Sequence, residues 1–593
     1  MFHQHSFVAV SRFDYSDQVL SSLPMHALKV SHIAEIITHA AQSVSFVPIE
    51  DDPKRPYALV LVANYFGSSG LFLLRPNARR PVQPLAILQT ECGHSWAVWR
   101  QGGRRWAAVA NYCSKDKHKG VVVYELEPLT GSGAQIPDWG FKAAAAISAN
   151  GSSYVLHMKL PLSPESSGGL GSSAEKHGFG SKSGSGSAAS AGGALSAGAG
   201  GGNSGMRGQA WQDVLAVAEY GSGHWVLYGL EDNQDKGLMI SELQRGALRG
   251  VAALAVCSTG GEGDGSGGGG SGNGVAGDFF LVGLSYYDKG FATRSAVYRW
   301  HPGKRQFLLL QVLATHGAHG ARCFTIHEAN PTTTTTTTTA PATAAAKDAT
   351  ASDSGTSTSN TGTGNRSTAA GSSASLFLAI ANSRHGDSYA ANSTLWRYDP
   401  GSGRFLLHQT IVTVGAHDVQ HLRLPASGTG ATTRMLTRAR AASPVVAATR
   451  VGRAAGAGAG AGVGGSSDGG AGVNGAAAEA VVDVLVFANR GADQLCSPQE
   501  NSPLLTWVSE RQRFEPAAHL AGLQCATGLA AGRLGGSTLL LATGDRTANG
   551  TTAGPLTHVW KVEVARAEGT KGDLGSECGE GVKGMTHARN AIR

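Results

Sequence analysis

The chain reads as all-β, a seven-bladed β-propeller of four-stranded antiparallel blades carrying long disordered inserts rich in Gly, Ser, Ala and Thr. Three observations predict this. An apolar strand running into Ala-Asn and a polar turn recurs along the chain. Once the simple-sequence stretches are set aside, the copies stand about 45–50 residues apart, the size of a propeller blade. Those stretches also fall at one position of the unit.

The recurring phrase reads LVLVANYF at 59–66, WAAVANYC at 106–113, LFLAIANSR at 376–384 and DVLVFANRG at 483–491. Weaker copies are FVAVSRFDY at 7–15, DVLAVAEYG at 213–221 and FFLVGLSYY at 279–287. In the clearest copy the phrase is followed by STLWRYDP (393–400), RFLLHQTIVTVGAHD (404–418) and VQHLRL (419–424). Short β-branched and aromatic runs punctuated by Gly, Pro and Asp describe four strands of one twisted sheet. Taking the phrase as the first strand gives approximate repeats 7–49, 57–100, 106–160, 211–257, 278–328, 375–424 and 481–532. A partial copy at 537–565 would close the ring as a clasp, and 566–593 forms a flexible tail. Because the copy at 7–15 is surplus to seven, eight blades is the alternative.

The inserts are 161–208, 258–277, 329–374 and 425–480, each after a fourth strand and before the next phrase. They lack the apolar mass to offset ordering entropy. Neutral expansion is the simple account of them, and a tethered interaction arm the functional one.

Charged residues make up only 15% of the 593 residues, and 49 basic against 42 acidic side chains leave a net charge of +7. The basic residues are scattered, without the stripe that nucleic acid requires, so no nucleic-acid partner is expected. No apolar run is long enough to span a membrane. The start of the chain lacks a secretory pattern and enters a repeat strand at once, which suggests a truncated beginning. Of seven cysteines, Cys92/Cys113 and Cys496/Cys525 could each bridge in an oxidising compartment, while buried free thiols are the plainer reading.

Taken together and in order, VANYF or IANSR, VYRW or LWRY, and RFLLHQTIVTVGAHD resemble the epilepsy-associated (EAR, or EPTP) repeat propellers. That family includes the leucine-rich glioma-inactivated proteins and the thrombospondin-type laminin G domain and EAR repeat protein. The resemblance covers most of the chain outside the inserts. It implies extracellular protein recognition, with a cell-surface receptor as partner in some members, no catalysis, no cofactor, and room for a structural calcium ion. The chain shows no leucine-rich repeat or laminin-like domain, and no receptor-binding positions carry over.

Candidate residues are accordingly structural. Asn64, Asn111, Asn382 and Asn489 end the repeat strands, where an amide side chain can hold a tight connection. Trp300 and Trp396, read as second-strand residues along with Tyr124 and Tyr228, suit packing between blades. Gly317 and Gly415 mark a shared turn. His316, His319, His417 and His421 invite a metal reading, yet His319 and His417 occupy one repeat position, which favours a structural role. The acidic run Glu231–Asp235 lacks the calcium-loop pattern. Sequons occur at Asn150, Asn365, Asn392 and Asn549, and Asn150, Asn392 and Asn549 are candidate glycosylation sites. The expected function is a non-enzymatic protein-binding module. The alternatives are a hydrolase or lyase with its site in the central channel, or an intracellular scaffold.

Overall fold

The computed structural model describes residues 28–565 apart from 50–55, 115–118, 130–137, 163–210, 234, 261–276, 329–372, 427–480, 492–501, 521–522, 524 and 545–555. The phrase at 7–15, the inserts and the tail therefore lie outside the described residues, apart from a few insert edges.

Among the described residues, twenty-eight strands form seven four-stranded antiparallel sheets. The innermost strands, from the first blade to the seventh, are Ala41–Ile49, Gly93–Gln101, Ser152–Pro161, Val251–Ser258, Ala318–Glu328, Ala416–Pro425 and Ala526–Leu534. Each packs against the next, and the last packs against the first. The seventh blade takes three strands from the C-terminal end, and its outermost strand is Leu28–Ile37. The ring is closed by pairing the two ends of the chain, and the blade count is seven.

The sequence reading misplaces the repeat by one strand. The Ala-Asn strand is the second of its sheet, not the first: Tyr57–Asn64 pairs with Ala41–Ile49 on one side and Ser69–Leu74 on the other. Residues 404–418, read as one strand, divide into the outermost strand Arg404–Ile411 of the fifth blade and the start of the innermost strand of the sixth. Periodicity alone cannot set this phase, because a ring of identical units has no natural first strand. It follows that each insert joins the innermost and second strands of a single blade, not one blade to the next.

Burial explains the sheet order. Second strands are sandwiched within their own sheet and between neighbouring blades, so Tyr57–Asn64 is buried throughout. Outermost strands alternate between buried and exposed residues, as in Arg404–Ile411, the pattern of a strand with one wet face. Seven apolar clusters fill the seven blade interfaces. One joins Leu160 and Leu227 of the third blade to Leu281 and Trp300 of the fourth; another joins Leu541 of the seventh to Val60 of the first. A four-stranded sheet that cannot bury both faces by itself does so here on each neighbour.

Every outermost strand carries a β-bulge. The residue after the bulge is Gln244, Gln311 and Gln409 in the third, fourth and fifth blades. In each case the amide spans the blade interface and bonds both backbone groups of a phenylalanine on the next outermost strand. Gln311 Nε2 donates to Phe405 O at 2.8 Å, and Phe405 N donates to Gln311 Oε1 at 2.9 Å. Gln244 and Gln409 do the same with Phe307 and Phe514. In the first, second, sixth and seventh blades the equivalent residues are Ala86, Ala145, Ala518 and Ala34.

Disulfides join Cys92 to Cys113 and Cys257 to Cys323. Cys525 is also bridged, while Cys496 lies outside the described residues. The free-thiol reading is thereby corrected for these five cysteines. The Cys257–Cys323 pair, which connects two innermost strands 66 residues apart in sequence, had no local signal.

Candidate functional site: an aromatic mouth over three histidines

Each innermost strand is entered through a residue with left-handed backbone: Ala40, Cys92, Gly151, Gly250, Gly317, Gly415 and Cys525, with φ between 47° and 63°. At Gly415 a Cβ would meet the Gly491 carbonyl oxygen at 2.7 Å, so strain and space both require glycine there. The carbonyl of this entry residue accepts the N–H of the residue that follows the second strand. The donors are Tyr65, Tyr112, Tyr220, Tyr286, Ser383 and Arg490, at 2.8–3.1 Å. The clip holds six equivalent positions at one end of the channel.

The recurrent asparagines support the same connection from the side. Asn382 Oδ1 accepts from His316 N (3.1 Å) and its Nδ2 donates to Asn392 O (2.9 Å). Asn64 and Asn111 join the corresponding groups of their blades, and Asn489 N donates to Ser502 Oγ. In the third blade Glu219 stands in this place and takes Ser222 and Arg245 as partners. In the fourth, Ser285 Oγ donates to Arg249 O.

Beside the asparagines, four consecutive blades present a tyrosine. Tyr65 and Tyr112 have ring centroids 6.3 Å apart, and Tyr112 and Tyr220 are 5.9 Å apart. Tyr286 packs on Phe291 at 5.3 Å. All four are half-buried, and on the rim Phe66 is 60% and Tyr287 45% exposed. In the fifth blade the equivalent residue is Ser383, and the adjacent Arg384 lays its guanidinium over Phe291 (4.4 Å) and Tyr389 (4.9 Å); in the sixth it is Arg490. Burial raises the phenols of Tyr112, Tyr220 and Tyr286 above their ordinary value. They remain hydrogen-bond donors through the physiological range.

Below the tyrosines, the bulged residues of three innermost strands meet on the channel axis. His319 of the fifth blade and His417 of the sixth have centroids 4.1 Å apart. His94, from the second blade across the channel, stacks on His319 at 6.1 Å and reaches Tyr112 at 5.7 Å. Burial lowers His94 to about 4. Burial, then His94 and Arg490, lowers His319 to about 3. His417 is pushed well below its usual value, again chiefly by burial. The floor is therefore a plug of neutral imidazoles. Next to it, burial raises the Asp418 carboxyl to about 6, against the N–H groups of Leu529 and Val419 and the charge of Arg322. Ser95 occupies the equivalent position in the second blade and accepts from Val155 N in the same manner.

The structure places the other predicted residues elsewhere. Trp300 and Trp396 lie on third strands, not second. Trp300 packs between the third and fourth blades and donates to Pro161 O at 3.0 Å. Trp396 packs on the cluster between the fourth and fifth blades. Of the four flagged histidines, His319 and His417 meet in the channel. His316 pairs with His385 at 4.3 Å, while His421 stacks on Phe324 and bonds Asp483. Asn150 and Asn392 are exposed; Asn365 and Asn549 lie outside the described residues. Sequence reasoning missed the tyrosines although the signal was present: Tyr follows the phrase in VANYF, VANYC, AEYG and LSYY.

No family model matches the chain. It is 30% identical over 131 residues to the mouse thrombospondin-type laminin G domain and EAR repeat-containing protein; the match covers 21% of this chain and 19% of that relative. Among solved structures, the fucose-binding lectin of Aleuria aurantia is 8% identical with a TM-score of 0.33, covering 84% of this chain and all of the lectin. A Bacteroides fragilis protein provisionally named a 6-phosphogluconolactonase is 10% identical with a TM-score of 0.36, covering 88% and 96%. Likeness at that level says nothing about what this chain does. Among the described residues no helix is long and apolar enough to cross a membrane.

Proposed function

We propose that this chain is a non-enzymatic protein-recognition module of EAR-propeller type that grips its partner at the tyrosine-lined mouth. The observation that carries the reading is the run of tyrosines from four successive blades, bordered by exposed Phe66 and Tyr287. Tyrosine supplies a large, stiff contact surface with a polar tip, which is why it concentrates at protein interfaces. The neutral floor of histidines suits a docking seat that asks for shape, and Arg384 and Arg490 favour an acidic element on one side of the partner. The bridges at Cys92–Cys113 and Cys257–Cys323 fit an oxidising compartment and so the cell surface or extracellular space. The partial likeness to the mouse EAR-repeat protein supports the same reading.

The test is affinity capture with the full chain and a Tyr112→Ser/Tyr220→Ser variant. Loss of a captured protein in the variant, with unchanged melting temperature, is the expected result. Equal capture by both would end the reading.

A second reading rests on one observation: His94, His319, His417 and Asp418 gather at the channel, with Asp418 held near neutrality. A hydrolase or lyase would use Asp418 as its acid or base. In that case Asp418→Asn abolishes turnover of a substrate found by screening, whereas the recognition reading expects no turnover to lose.

A further inference from the structure

We propose that His32, Glu35 and His558 form a binding site for a borderline divalent cation, zinc before others, that clasps the two ends of the chain together. His32 and Glu35 lie on the outermost strand Leu28–Ile37 of the seventh blade, and His558 on its neighbour Leu556–Val564. In a regular strand, residues three apart point to opposite faces. Here the bulge between His32 and Ala34 leaves Ile33 unpaired. That extra residue returns Glu35 to the face of His32. Glu35 stands directly opposite His558, and His32 opposite Trp560, so all three side chains share one face.

Their ligand atoms converge. His558 Nδ1 and His32 Nε2 are 3.4 Å apart. Glu35 Oε1 is 3.6 Å from His558 Nδ1 and 3.7 Å from His32 Nε2. A point equidistant from the three lies about 2.1 Å from each, within the usual range for zinc bonded to imidazole nitrogen and carboxylate oxygen. Among the described residues this is the group of His, Cys, Asp and Glu whose ligand atoms gather so closely. Trp560 orients both rings, stacking on His558 at 5.2 Å and meeting His32 edge-on at 6.0 Å. His558 is half-buried, and its ring is held in place by Trp560. His32 and Glu35 are exposed, so solvent can supply the fourth ligand. Two histidines with one carboxylate and an open position suit zinc, and copper or nickel would compete by the usual affinity order.

Because the ligands come from both chain ends, bound cation adds directly to ring closure. A site of this kind would make the stability of the seventh blade depend on available metal.

The experiment uses the full chain stripped with a chelator and dialysed. Zinc titration by calorimetry, cobalt absorption in the visible and thermal unfolding are compared for the wild type, His32→Asn and Glu35→Gln; both substituted residues are exposed, and circular dichroism checks their folding. We expect one equivalent of zinc with at least tenfold tighter binding in the wild type than in either variant. Tetrahedral cobalt bands and a rise in melting temperature of several degrees should appear in the wild type alone. Equal zinc affinity in all three proteins, or binding in the wild type with no rise in melting temperature, would overturn the proposal.

Discussion

The third, fourth and fifth blades each reach across to their successor with a glutamine, whereas the first, second, sixth and seventh carry alanine at the same place after the same bulge. The backbone is alike in both groups, so the bulge is a property of the propeller and the clamp a property of the side chain. The clamped arc is joined at its periphery by amides that imitate a neighbouring strand. The unclamped arc, which contains the chain ends, is held by apolar packing, between the second and third blades by Arg104 on Asp232 and Gln101 on the Leu230 carbonyl, and by links nearer the channel. Thr527 Oγ1, for example, donates to Ala41 O at 2.7 Å. The comparison teaches that blade interfaces of one ring need not be equally strong.

Removing the strand Leu28–Ile37 should break the comparison most sharply. It exposes the edge of Leu556–Val564 and opens the ring. Hydrogen exchange is expected to show protection lost around 526–564 and retained across 237–411; uniform loss would mean that the clamps confer no local resilience. Next in size, Gln311→Ala leaves the Phe405 N–H and carbonyl without their partner and should cost about 2 kcal/mol in chemical denaturation. The matching change at an unclamped interface, Ala145→Gly, lacks that term.

A smaller effect comes with pH. His94, His319 and His417 have folded pKa values below that of the unfolded chain, so the folded protein binds fewer protons. The stability they contribute is full above about pH 6.5 and is lost as pH falls through the window down to about 3–4. Asp418 runs the other way between about 6 and 4, since its folded value is raised. Three imidazoles against one carboxyl predict a lower melting temperature at pH 5 than at pH 7, while the cost of Gln311→Ala stays constant because the clamp holds no ionisable group. The smallest change is a gain. Ala86→Gln, which faces Phe141 of the second blade at the position matching Phe405, should add about 1 kcal/mol if it forms the clamp.

Much of this architecture was legible in the sequence. The Ala-Asn phrase exposed the repeat because every second strand is buried on both faces and tolerates few residue types. Its strand number was illegible, since a closed ring offers no local mark of which strand lies innermost. The glutamine clamp and the histidine plug were illegible for a related reason: their partners lie 63–105 residues away for Gln244, Gln311 and Gln409. His94 stands three blades from His319. The tyrosines are legible in the sequence, since Tyr65, Tyr112, Tyr220 and Tyr286 each directly follow the Ala-Asn position of the recurring phrase.

The inserts leave the ring between innermost and second strands, where the former end and the latter begin. The tyrosines sit where innermost strands begin and second strands end, so they and the attachment points of the inserts lie on opposite faces. Loop-closure cost grows only slowly with length. The same connections are therefore natural docking points for engineered cargo: a tag, a reporter domain or a second binding module spliced between Pro161 and Trp211 would hang from the back of the disc and leave its front free to bind.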